Sequence, residues 1–266
     1  MVTKRPSKMI FWFFLCALLT NISMATDRAN TSSGRRSPGL VEKTLYRELG
    51  LSEDVNDSVI IQLLDNPDKR RNAVILLIRY RRISSATPKL LQIFNDDKTN
   101  VFTKIAAAEA LCDFGNKEWM PTIKALSLDP NGIIARTPLK IKVAGLLARA
   151  GDYSQFEIVA TAVSDSTNYV RSSAIYELGN FGHKTAPVTD LAVGLLLSVA
   201  TTDPAPRLRE HAIYSLEKIA KKKPEVESKV IAALEANKDS TDKDLRIMCN
   251  AKLNSYSKKM KKEKSQ

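Results

Sequence analysis

The chain has 266 residues, of which 44% are hydrophobic and 26% charged, a balance that excludes wholesale disorder. Only ten glycines and seventeen aromatics (eight Phe, seven Tyr, two Trp) argue against glycine-rich phosphate loops and aromatic-rich β-sandwiches. A formal net charge of +12 points to acidic or anionic partners.

The first element has the form of an export signal. Lys4, Arg5 and Lys8 precede an unbroken apolar run from Met9 to Leu19, and Ser23-Met24-Ala25 supplies small residues at a cleavage site after Ala25. As a helix, such a run spans about 16 Å, half of a bilayer core, which favours a cleaved signal over a retained anchor. Residues 1–25 carry three bases and no acid, so their removal lowers the charge from +12 to +9. The expected address is periplasmic or secreted. Residues 26–37 read as a polar linker, in which Asn30-Thr31-Ser32 would accept a glycan in a eukaryotic secretory route, as would Asn56-Asp57-Ser58 further on.

Helices follow in chain order, near 38–49, then in pairs: 53–65 with 67–82, 88–95 with 98–114, 118–128 with 137–150, 152–164 with 167–181, 185–201 with 204–221, and 224–237 with 242–258. Proline placement marks five starts, at Ser37-Pro38, Asn66-Pro67, Thr87-Pro88, Thr137-Pro138 and Asp203-Pro204, each joining a capping side chain to a proline at the first helical position. Asp129-Pro130-Asn131-Gly132 reads as a turn within an insertion.

The second helices repeat. Leu77, Leu111, Leu147, Leu178, Leu216 and Leu253 lie 34, 36, 31, 38 and 37 residues apart. Four residues before them stand Ala73, Ala107, Val143, Ala174, Ala212 and Cys249; eight before stand Lys69, Thr103, Leu139, Val170, Leu208 and Leu245. Positions −8, −4 and 0 share one helical face, which is expected to be buried. A base stands at −7 in every copy (Arg70, Lys104, Lys140, Arg171, Arg209, Arg246), placed to lay its stem along that face and reach a polar group between repeats. Gly115, Gly151 and Gly182 at +4 are expected to be left-handed helix caps.

The copies DSTNYVRSSAIYELGNFG (165–182) and DPAPRLREHAIYSLEKIA (203–220) resemble the HEAT-repeat family in their Asp, apolar-Arg, Ala and Leu positions. The resemblance covers about residues 53–257, with degenerate end copies that look like caps. It implies an all-α, right-handed α–α superhelix of about six helix pairs over 38–257, followed by a basic tail at 258–266. It also implies a concave surface lined by second helices, and a binding scaffold more often than an enzyme.

On those helices, positions −9, −6 and −2 are expected to face solvent, opposite the buried face. Tyr169, Tyr176, Arg207, Glu210 and Tyr214 fall there and form the candidate protein-binding set, Tyr and Arg being frequent at binding hot spots. The alternative is that these are ordinary surface side chains. Lys221, Lys222 and Lys223, with Lys258, Lys259, Lys261 and Lys262, form a second set suited to anionic lipid or an acidic wall polymer. Arg79, Arg81 and Arg82 cluster at another helix end, where bases also compensate the helix dipole.

Little invites catalysis. His183 follows a glycine in a turn, and His211 neighbours Glu210 on a helix, where adjacent side chains diverge. HEAT-like hydroxylases hold two irons through repeated His-Glu pairs, which this chain lacks; HEAT-like DNA glycosylases are the other comparison, but export disfavours DNA. Trp119, near Met120 and Ile123, suits packing, and Cys112 and Cys249 suit buried free thiols. The sequence therefore points to a non-enzyme without metal or cofactor. It would bind another protein, with docking to an anionic surface second and an enzyme third.

Overall fold

The computed structural model describes residues 39–66, 70–129, 132, 134, 137–182 and 188–264. The expected export signal and linker, Asn30, the Ser37-Pro38 start, Pro67, Lys69, the middle of the 129–132 turn and His183 lie outside these residues, as does the Lys262 side chain. The described residues are helical, without strands, and divide into two units meeting in sequence at Gly115 and Asn116.

The first unit contains α1 (Leu40–Leu49), α2 (Asp57–Gln62), α3 (Arg71–Arg81), α4 (Thr87–Asn95) and α5 (Val101–Asp113). Asn56 starts α2 by accepting from the Ser58 amide at 3.0 Å, and Asn100 starts α5 by accepting from the Thr103 amide at 3.0 Å. Each satisfies an amide that the first helical turn leaves open. α3 packs against α1 and α5, and α4 packs against α5. Their shared interior holds Leu64, Ala73, Leu77, Leu90, Phe94, Ala107 and Leu111.

The second unit contains α6 (Met120–Leu128), α7 (Thr137–Ala150), α8 (Phe156–Ala162), α9 (Asn168–Leu178), α10 (Thr189–Thr202), α11 (Pro206–Ala220), α12 (Glu227–Glu235) and α13 (Lys243–Lys264). Consecutive helices pair, and the second members α7, α9 and α11 also pack on one another. One apolar core runs through α7 to α13. Leu178 and Leu216 sit in it without solvent contact, as do Ala174 and Ala212 four residues earlier and Cys249 on α13, while Val143 and Leu147 are fully buried on α7 outside that cluster. Each buried leucine contributes about 2 kcal/mol. Leu253, on α13, is only partly covered. Trp119 is a packing residue, fully buried, with its indole Nε1 donating to the Asn116 carbonyl at 2.8 Å.

Five expectations need correction. Asp203-Pro204 does not open α11, which starts at Pro206. Asp203 Oδ1 instead accepts from the Ala205 amide at 2.9 Å, and its carboxylate grips Arg171. Thr87 lies inside α4, and its hydroxyl donates to the Ser84 carbonyl of the preceding 3-10 turn. Gly115 (φ 79°) and Gly151 (φ 101°) are left-handed as expected, but Gly182 has φ −80°. It is glycine for another reason: a Cβ there would stand 2.4 Å from Ile219 Cγ1, so α11 could not approach. Cys112 and Cys249 are both free thiols, yet only Cys249 is buried, and burial pushes its pKa up to about 11. Finally, α13 continues to Lys264, so residues from 258 onward form its last turns.

Candidate protein-binding face

Two of the bases at −7 in the second unit reach between repeats. Arg171, on the first turn of α9, donates from Nε and Nη2 to the two carboxylate oxygens of Asp203 at 2.9 and 3.2 Å. The two side chains are only 11% and 6% exposed, and Arg171 also reaches the carbonyls of Asp165 and Ser166. One repeat later, Arg209 Nη1 donates to Asn237 Oδ1 at 3.0 Å. Asp203 and Asn237 each follow the first helix of the next pair, so the two contacts are equivalent joints. In the last repeat Arg246 turns back to the Ser240 carbonyl at 2.5 Å.

The five candidate side chains divide into two groups. Tyr169 and Arg207 are the second residues of α9 and α11, and both are exposed, Tyr169 at 41%. Tyr176, Glu210 and Tyr214 are half-buried, so −6 and −2 do not face open solvent. A second helix here contacts its own first helix and also the second helices on either side, which leaves little of its circumference wet. Lys218 Nζ stands 5.2 Å from the Tyr176 ring centroid, and Lys252 Nζ stands 4.8 Å from that of Tyr214. Each tyrosine is thus covered by an ammonium from the following repeat, an attraction of about 0.5–1 kcal/mol at a part-exposed site.

These lysines are themselves held. Lys218 donates to Asn180 Oδ1 at 2.7 Å, and the Asn180 amide donates to the buried Glu177 carboxylate. Lys252 donates to both Glu217 oxygens at 2.7 and 2.8 Å. Burial raises the Tyr214 pKa, and Glu210 and Glu217 add to it; Glu210 also hydrogen-bonds its side chain. Burial, with Glu217 and Glu227, pushes Tyr256 up to about 12. Ser172 Oγ lies 3.1 Å from His211 Nδ1, joining α9 to α11, while burial and the neighbouring Arg207 hold the His211 pKa below its ordinary value.

The structure unites Tyr214 with Glu210, and Tyr176 with a lysine that sequence reasoning had not selected. Lys218 and Lys252 were missed because they sit at +2 and −1, on different lines of the repeat, and meet the tyrosines only through stacking. Among the described residues, no group of three His, Cys, Asp or Glu side chains is placed to hold a metal ion. No described helix is long and apolar enough to cross a membrane.

The basic clusters differ in their surroundings. Arg79 is engaged by Glu109 at 3.0 Å and Asp113 at 2.7 Å, and Arg81 by Asp57, the Tyr46 hydroxyl and the Val55 carbonyl. Lys221 and Lys222 are exposed and Lys223 is half-buried. Lys258 and Lys261 are exposed on α13, and Lys259 bonds Glu227 at 2.8 Å.

The family description "HEAT repeats" matches residues 156–251, from α8 into α13. No curated protein matches the chain. Among solved structures, a designed armadillo repeat protein is similar over 74% of this chain and 98% of its own, at 13% identity and a TM-score of 0.44. Human deoxyhypusine hydroxylase is similar over 91% of this chain and 99% of its own, at 17% identity and a TM-score of 0.35. An engineered protein is similar over 82% and 96%, at 15% identity and a TM-score of 0.39. With its stacked helix pairs, buried Ala-Leu lines and Arg joints, the segment 156–251 is a run of HEAT repeats.

Proposed function

We propose that this chain is an exported, non-catalytic scaffold that binds another protein along the second helices of its HEAT segment. The observation that carries this reading is the placement of Tyr169 and Arg207. They stand exposed at the same register of adjacent second helices, beside a layer of Tyr176 and Tyr214 already held by Lys218 and Lys252. Tyr and Arg side chains anchored beside a preorganised layer lose little entropy on binding, which is what an interface centre needs. The polar side chains around them are engaged with one another across repeats. Such engagement suits a rigid recognition face better than a site that moves protons. The positive net charge favours an acidic partner.

Cross-linking in the native host, followed by identification of the attached protein, tests the reading. Tyr169→Ala combined with Arg207→Ala should lower capture at least tenfold with an unchanged unfolding midpoint, since both side chains are exposed. Full retention of the partner by that variant would remove the proposal. Export is tested separately by sequencing the amino terminus of the protein recovered outside the cytoplasm, which should begin at Thr26.

A further inference from the structure

The two lysine clusters are 35 residues apart in sequence, yet the fold sets them on one edge. α12 and α13 are antiparallel, and Lys259 of α13 bonds both oxygens of Glu227, the first residue of α12, at 3.1 and 2.8 Å. The turn just before Glu227 carries Lys221, Lys222 and Lys223. Lys252, two turns earlier on α13, bonds Glu217 near the end of α11. The last turns of α13 therefore run beside the α11–α12 turn. Lys221, Lys222, Lys258 and Lys261 all show exposed side chains there, and Glu225 is the exposed acid among them.

We propose that this edge docks on an anionic lipid surface, with the end of α13 lying against the headgroups. Three observations select lipid over an acidic protein or a discrete phosphate. The exposed bases in the two clusters are all lysines, compact charges without the planar fork that arginine offers to a single carboxylate or phosphate. They are spread along an edge, Lys221 and Lys222 in the α11–α12 turn and Lys258 and Lys261 on α13, which suits a plane of diffuse charge. Met260, 44% exposed, stands between Lys259 and Lys261, giving the helix end an apolar side chain to enter the headgroup region. This edge does not include the Tyr169 and Arg207 face, so either proposal can fail without the other.

The test is sedimentation of the chain beginning at Thr26 with phosphatidylcholine vesicles containing 30% phosphatidylglycerol, at two salt concentrations. Binding should appear only with the anionic lipid and fall steeply from 0.05 to 0.2 M salt. Each exposed lysine removed should cost about fivefold. The pair Lys221→Gln and Lys222→Gln should weaken binding as much as Lys258→Gln and Lys261→Gln, roughly 25-fold each. Unchanged circular dichroism would show that all variants fold. Equal binding to pure phosphatidylcholine would overturn the proposal. So would an effect from one pair alone, or binding to soluble polyglutamate with none to vesicles.

Discussion

The two units use the same helical register but differ in the polar contacts between their repeats. In the second unit polar contacts between repeats lie at the start of the second helices, where Arg171 meets Asp203 and Arg209 meets Asn237, and also near their ends, where Lys218 meets Asn180 and Lys252 meets Glu217. In the first unit such a contact lies at the end of α3, where Arg79 meets Glu109 and Asp113 on α5. The apolar lines are alike: Leu77 and Leu111 are as deeply buried as Leu178 and Leu216. Burial thus sets the register in both units, while the polar contacts between repeats form at either end of the helix.

That contrast can be broken first through the apolar line. Leu216→Ala and Leu77→Ala should each cost about 3 kcal/mol in urea unfolding, whereas Leu253→Ala, at the half-covered end, should cost about 1 kcal/mol. Equal losses at all three would show that the last repeat is as closed as the inner ones. Gly182→Ala should cost about 2 kcal/mol, because its Cβ would be forced against Ile219. Gly115→Ala meets no neighbour and should cost about 1 kcal/mol, from its positive φ alone.

The first unit also carries a cap that can be improved. Arg82 ends α3 in the left-handed region, φ 55°, with an exposed side chain. Its amide and that of Ile83 close the helix onto the Arg79 and Ile78 carbonyls. Arg82→Gly keeps those bonds and should stabilise by up to about 1 kcal/mol.

A pH effect separates the α9–α11 contact from the rest. His211 has its folded pKa lowered by burial and by Arg207, so as pH falls the unfolded chain takes up a proton first. Stability from this site is complete above about pH 6.5 and is lost below it. The melting midpoint should drop between pH 7.5 and 5.5, and His211→Gln should flatten that drop. An identical slope in the variant would place the titration elsewhere.

Helix positions, the Ala-Leu lines and the inter-repeat use of Arg171 were legible because they depend on spacing along one helix. Helix starts were less so. Asp203-Pro204 has the composition of a cap, but its carboxylate is claimed by Arg171 from the previous repeat, and nothing local reveals that. Gly182 was legible as a required glycine and misassigned in cause, since a close approach by Ile219 leaves no local signature. The candidate face was half legible. A single-helix wheel gives one buried side, whereas a stacked second helix has three neighbours, so Tyr176 and Tyr214 pass under Lys218 and Lys252.

The central claim is that a side chain at fixed register on one second helix holds the next repeat in place. A double-mutant cycle on Arg171→Ala and Asp203→Ala, read by urea unfolding, tests it most directly. Arg171→Ala alone should cost about 3 kcal/mol, because it strands a buried carboxylate. The coupling should be about 2 kcal/mol, so that the second substitution adds little to the first. Two additive losses with no coupling would contradict the account.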